Sequence, residues 1–200
     1  MNRKGENPVR WIWIDKFIAF ESGRRAVAVK NVTLAEEHLH DHFPGFPIHP
    51  PTLMIEGMAQ TGGVLVGEAL NFQEKVILAK VTRATFHRWV VPGDQIRFEA
   101  QVVGDIRPEG ALISGQITRN GEKVAEIEMM FVHLDQSRGP VEAGEGNFVF
   151  TEDFIRLLRM RKLNELGWPV PPRPGQTRRG PQSDPDTGPR PPDGSAGGAA

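Results

Sequence analysis

The sequence predicts an α+β fold in which a curved antiparallel sheet wraps around one long buried helix, and three observations lead there. Residues 52 to 70 read as a helix with apolar side chains nearly all round it. Most of the chain from 75 to 134 has strand character, rich in Val, Ile and Phe. The turns between those strands are explicit at Pro92-Gly93-Asp94, Arg107-Pro108-Glu109-Gly110 and Asn120-Gly121, the last being the strongest short hairpin signal.

In chain order, Met1 to Arg10 is polar, and the apolar stretch Trp11 to Ile14 is stopped by Asp15-Lys16, too soon for a signal-peptide core. No segment approaches the ~18 apolar residues of a membrane span, so a cytoplasmic protein is the expectation. Phe17 to Ser22 and Arg25 to Thr33 alternate on either side of Glu21-Ser22-Gly23-Arg24 and predict a hairpin. Leu34 to Pro51 is a loop dense in His and Pro, long enough to suggest function rather than mere connection.

The helix that follows, Thr52 to Leu70, carries Gly57, Gly62, Gly63 and Gly67. Each costs roughly 1 kcal/mol of helix propensity relative to Ala, which points to close approach of another backbone. Strands are then expected at Lys75 to Phe86, Asp94 to Ile106, Ala111 to Arg119 and Lys123 to Leu134, joined as a four-stranded meander. Thr151 to Leu166 reads as an appended helix, with Thr151 as N-cap, Phe154, Leu157, Leu158 and Leu166 as its apolar stripe, and Gly167 past its end. Nine of the 17 prolines and six of the 22 glycines fall from Pro169 onward, a composition that cannot bury enough surface to offset its ordering entropy. The expected organisation is a main domain over 1–142, an appended segment with a helix over 143–168 and a disordered tail over 169–200.

Charge and cysteine content narrow the function. With 24 basic and 25 acidic side chains the formal net charge is -1, without the basic surplus that a nucleic-acid binder of this size uses to neutralise phosphates. No cysteine occurs, which excludes disulfides, thiolate ligands and thiol nucleophiles.

Four of the six histidines, His38, His40, His42 and His49, fall within twelve residues, beside Asp41 and close to Glu36, Glu37 and Glu56. One reading is a metal site, because His38-Leu39-His40-Asp41-His42 resembles a zinc-hydrolase motif. It lacks one residue of that motif, so in an extended segment the ligands fall on the wrong faces, and no metal is expected. The other reading needs only a base and an acid. Glu56 lies 14 residues after His42, about one turn into an apolar helix, where burial would push a carboxyl pKa upward and suit it to acid–base work beside an imidazole. On these residues alone a bland alternative stays open, in which Glu56 pairs within the fold and His42 merely packs.

The run from His42-Phe43-Pro44-Gly45-Phe46-Pro47-Ile48-His49-Pro50-Pro51 through Thr52-Leu53-Met54-Ile55-Glu56-Gly57-Met58-Ala59-Gln60 closely resembles the signature of the 3-hydroxyacyl-acyl-carrier-protein dehydratases of fatty-acid synthesis. The likeness extends to Trp13-Ile14-Asp15-Lys16, Lys30-Asn31-Val32-Thr33, Phe86 to Gln95 and Val124-Ala125-Glu126, covering roughly residues 10 to 134. The resemblance implies a hotdog fold and a homodimer, with hexamers formed as trimers of dimers, whose active sites each combine the His of one protomer with the acid of the other. It implies that His42 removes a proton from C2 of a 3-hydroxyacyl thioester and that Glu56 protonates the departing hydroxyl. It also implies a carrier-protein or coenzyme A thioester as substrate and no cofactor. Gly45 and Gln60 match the family's residues, and Gln60 is expected to hold the Glu56 carboxylate or a water.

Three positions depart from that pattern. Where the family has Met-Pro-Gly and uses the glycine N–H as an oxyanion donor, this chain has His49-Pro50-Pro51, and proline has no N–H. Either Thr52 supplies its N–H or hydroxyl instead, or the enzyme is slow or altered; restoring glycine at position 51 is expected to raise the rate, and an unchanged rate would mean that another donor already does that job. His49 is expected at the rim of the site, and Gly57, where the family has alanine, is expected to widen it. A hotdog thioesterase and a non-catalytic acyl-binding subunit remain the alternative functions.

Overall fold

A computed structural model of the chain describes residues 12–134. The elements are β1 (Lys16–Glu21), β2 (Arg25–Asn31), a short α1 (His38–Asp41), the long α2 (Pro51–Ala69), then β3 (Lys75–Phe86), β4 (Gln95–Arg107), β5 (Gly110–Arg119) and β6 (Glu122–Leu134). All lie within a residue or two of the expected spans, except that the histidine-rich loop contains α1, a single turn the irregular sequence concealed. The helix expected over 151–166 and the tail from Pro169 lie outside the described residues.

The six strands form one antiparallel sheet in the order β1-β2-β4-β5-β6-β3. The expected meander is therefore corrected at one joint, since β3 pairs with β6 and not with β4. Residues 87–94 carry the chain across β6 and β5 to reach β4, about 14 Å at three interstrand spacings. Backbone bonds anchor this crossing at both sides, from His87 N–H to the Val124 carbonyl (2.8 Å) and from Gly93 N–H to the Val32 carbonyl (2.8 Å). Pro92-Gly93 thus turns the end of a crossover, where the sequence suggested a tight hairpin. Asn120 and Gly121, with φ of 52° and 84°, do make the expected two-residue turn between β5 and β6.

Helix α2 packs on the concave face of this sheet, and its glycines show how. A Cβ at Gly57 would come within 2.5 Å of the Phe98 ring on β4, and one at Gly62 within 3.2 Å of Phe131 on β6. Gly115 of β5 reciprocates, because a Cβ there would lie 2.6 Å from the Met58 sulfur. The close approach is real, but it is made to large side chains rather than to another backbone. Gly57 accordingly makes room for Phe98 and does not serve to widen the site. Around these contacts Phe17, Ile96, Ile113, Ile117, Ile127 and Leu65 close a continuous core, giving the hotdog arrangement of a sheet curled around a helix.

Candidate active site

Pro50 and Pro51 start α2, Pro51 occupying the first helical position, where its fixed φ suits the helix and its missing N–H would have had no intrahelical acceptor. The Pro50 carbonyl accepts the N–H groups of Leu53 (2.9 Å) and Met54 (3.2 Å). Among the described residues the Thr52 N–H has no acceptor, so it is the first amide that the helix end presents outward.

Thr52, Glu56 and Gln60 follow at four-residue intervals along one face of α2, while Met54 and Met58 on other faces are buried. The Gln60 Nε2 donates to Glu56 Oε1 at 2.9 Å, as expected. Its Oε1 in turn accepts the backbone N–H of Trp13 at 2.8 Å. That second bond fixes which way the amide faces, because an Oε1 turned toward Glu56 would oppose two acceptors and leave the Trp13 N–H unmatched. The role of Trp13 was not legible in the sequence, since a backbone donor leaves no side-chain signature.

Glu56 departs from expectation in its surroundings. It is exposed, because the sheet covers only the other faces of α2, and the burial expected of it from the sequence is not found.

His42 lies on the loop before α2. Phe43, Pro44, Gly45 and Phe46 form a tight turn closed by reciprocal bonds, Phe46 N–H to the Phe43 carbonyl (2.9 Å) and Phe43 N–H to the Phe46 carbonyl (3.1 Å). Pro at the second position and Gly45 at the third, with φ of 76°, match the type II turn, which explains the glycine by backbone conformation alone. The Ile48 N–H reaches back to the His42 carbonyl at 2.9 Å, and the His42 ring stacks on Phe43 with centroids 4.3 Å apart. Half-buried His42 and exposed Glu56 are not joined by any hydrogen bond or ion pair among the described residues.

His49, expected at the rim, is instead fully buried. Its backbone N–H is held by the Val90 carbonyl at 2.7 Å, which turns its side chain toward Trp13 and His38, at ring distances of 6.1 and 5.9 Å. Burial, followed by the nearby Lys30 ammonium, lowers its pKa to about 4. The same two influences, burial first, lower that of His38. Burial alone would raise the Glu36 carboxyl, but the Thr33 N–H and the Lys30 ammonium, 2.9 Å away, outweigh it and hold it below its ordinary value.

Residues 10–128 match the family described as the FabA-like domain. The chain is 42% identical over 120 residues to the 3-hydroxyacyl-[acyl-carrier-protein] dehydratase FabZ of Clostridium acetobutylicum, a match covering 60% of this chain and 84% of that one. It is 41% identical over 128 residues to the FabZ of Pelotomaculum thermopropionicum, covering 60% and 86%. Among solved structures, the dehydratase heterocomplex ApeI:P from Xenorhabdus doucetiae superposes with a TM-score of 0.53 at 15% identity, over 66% of this chain and 88% of that one. An uncharacterised protein from Pyrococcus horikoshii gives 0.51 at 16% identity, over 68% and 95%. At such identities the structural likeness speaks for the fold.

Proposed function

The chain belongs to the FabA-like family, and on that premise we propose how it dehydrates 3-hydroxyacyl-acyl-carrier-protein to the trans-2-enoyl thioester in fatty-acid biosynthesis. His42 takes the proton from C2, electrons move into the new C2–C3 double bond, and the C3–O bond breaks as Glu56 protonates the departing hydroxyl. The products are the enoyl thioester and one water. The Thr52 N–H serves the thioester oxygen as negative charge develops on it, and Gly45 shapes the turn after His42 that lines the substrate's approach. Coenzyme A thioesters share the reacting group and are the alternative carrier.

The observation that carries this assignment is the chain of bonds from Trp13 through Gln60 to Glu56. It aims a carboxyl outward from α2, where a carboxyl that served only the fold would have no need of orientation. The reading takes the working unit to be a homodimer, in which His42 of one protomer meets Glu56 of the other. Two features support it: the exposure of Glu56, and a twelve-residue strand β3 whose outer edge is unpaired within the described residues. The opposite edge, β1, has six residues and a register shift between Phe17 and Ala19, a poorer template for pairing. Further assembly into a trimer of dimers belongs to the same reading. No helix among the described residues is long and apolar enough to cross a membrane; the reading keeps the cytoplasmic setting expected from the sequence.

The test is to incubate the purified chain with a 3-hydroxyacyl thioester and follow enoyl product and free thiol together. Enoyl product without thiol is expected. Thiol without enoyl would establish a thioesterase, and neither product across chain lengths would establish a binding subunit.

A further inference from the structure

We infer that Glu36, His38 and His49 form a binding site for one divalent cation of the zinc class, built from residues that the proposed reaction does not use. One ligand atom from each, a carboxylate oxygen and two ring nitrogens, lies within 4.8 Å of the others. Two imidazoles and a carboxylate are a donor set that zinc takes where a fourth position is left to water. Tetrahedral zinc with bonds of ~2.1 Å places its ligand atoms about 3.4 Å apart, so side-chain rotations that draw the donors inward by an ångström or so complete the geometry.

The state of the histidines points independently to a ligand. His49 is fully buried, and neither of its ring nitrogens has a hydrogen-bond partner; Nε2 of His38 is buried and unpartnered as well. An imidazole packed only for its shape leaves an N–H and a lone pair unmatched, an arrangement that native interiors rarely tolerate. Trp13 makes ring contacts with both histidines.

Lys30 places a positive charge at this pocket. Its Nζ is 2.9 Å from Glu36 Oε2 and 5.3 Å from the centre of the Trp13 ring. A dication displaces the ammonium from Glu36, and the indole face remains beside it as a resting place. Lys30 is thus the internal competitor of the metal. Glu36 Oε1 is already oriented by the Thr33 N–H at 2.9 Å, the kind of outer bond that steadies a ligating carboxylate.

The sequence argued against a metal from the run His38 to His42, and the structure uses only His38 of that run. Glu36 and His38 precede His42, and His49 follows it. An ion held by all three ties together both ends of the loop that carries His42.

The experiment uses the full-length chain without an affinity tag, stripped with chelator and titrated with Zn²⁺ by calorimetry, with metal content measured after dialysis and Co²⁺ as a spectroscopic substitute. One equivalent of zinc is expected, with the visible bands of tetrahedral Co²⁺ and a raised melting temperature. His49→Met, which restores the residue that the dehydratase signature carries there, should weaken zinc binding by about 100-fold or more, and Glu36→Gln should act in the same direction. Lys30→Met should tighten it by roughly tenfold. Failure of the wild-type chain to retain zinc, wild-type affinity in His49→Met, or unchanged affinity in Lys30→Met would each overturn the site.

Discussion

Pro51 and Thr52 set the oxyanion question at the level of single atoms. Proline at the first helical position leaves the Thr52 amide as the outward donor, so under the proposed mechanism replacing Pro51 by glycine adds a second N–H beside the one assigned to the thioester oxygen. We predict that Pro51→Gly changes kcat by less than about tenfold, below the 10²- to 10³-fold attached to a sole donor, and lowers stability by about 0.5–1 kcal/mol through the added freedom of the unfolded chain. A rate increase of two orders of magnitude in steady-state assays would reject Thr52 as donor. Under the proposed mechanism, Glu56→Gln keeps the bond geometry with Gln60 but has no proton to give, and His42→Ala removes the proposed base. Each should reduce kcat by ~10²- to 10⁴-fold while circular dichroism and the melting temperature stay near those of the parent, as exposed or half-buried positions allow. Whereas the pairing of His42 with Glu56 rests on the family resemblance, the contact of Gln60 with Glu56 was legible because the two side chains stand one helical turn apart. The fixing of Gln60 by Trp13 and the burial of His49 were not, because both depend on what the fold brings from elsewhere in the chain.

Among the elements, α2 was legible in extent and in its glycine content, but what its glycines face was not. Phe98 reaches Gly57 across 41 residues of sequence, and no local pattern announces that partner. Gly57→Ala should therefore cost about 1–3 kcal/mol in urea unfolding, the usual scale of overpacking. Adding Phe98→Leu should recover part of the loss, as a coupling between contacting sites. Additive losses would show that Phe98 is not the obstacle. Strands β2 and β4 carry a smaller test. The Arg25 guanidinium, 2.7 Å from Glu99, holds that carboxyl below its ordinary value, chiefly through the hydrogen bond. A lowered folded-state pKa adds stability above the ordinary value near 4.5, and that stability is lost as pH falls through the folded value. Since both side chains are about a third exposed, less than about 1 kcal/mol is at stake, and Glu99→Gln should flatten the stability profile by that amount between neutral and strongly acidic pH.

For the whole molecule, the sequence revealed six strands and their turns but not their order, because alternation shows where a strand lies and not which neighbour it takes. The crossover of residues 87–94 moves β3 to the far edge beside β6, and among the described residues the outer edge of β3 is unpaired; the proposed dimer uses that edge. Glu56, set among apolar residues in the sequence, lies on the face of α2 that the sheet leaves exposed. The account predicts a dimer in sedimentation, and a monomer that retains full activity would contradict it. The decisive measurement is complementation: His42→Ala and Glu56→Gln chains, each inactive alone, are co-expressed and the mixed protein assayed for enoyl formation. Random pairing into dimers with shared sites places an intact His42 opposite an intact Glu56 in about a quarter of sites, so activity near a quarter of the parent's is the predicted result. Activity no higher than that of the two variants alone would show that His42 and Glu56 do not meet across protomers, and would contradict the account.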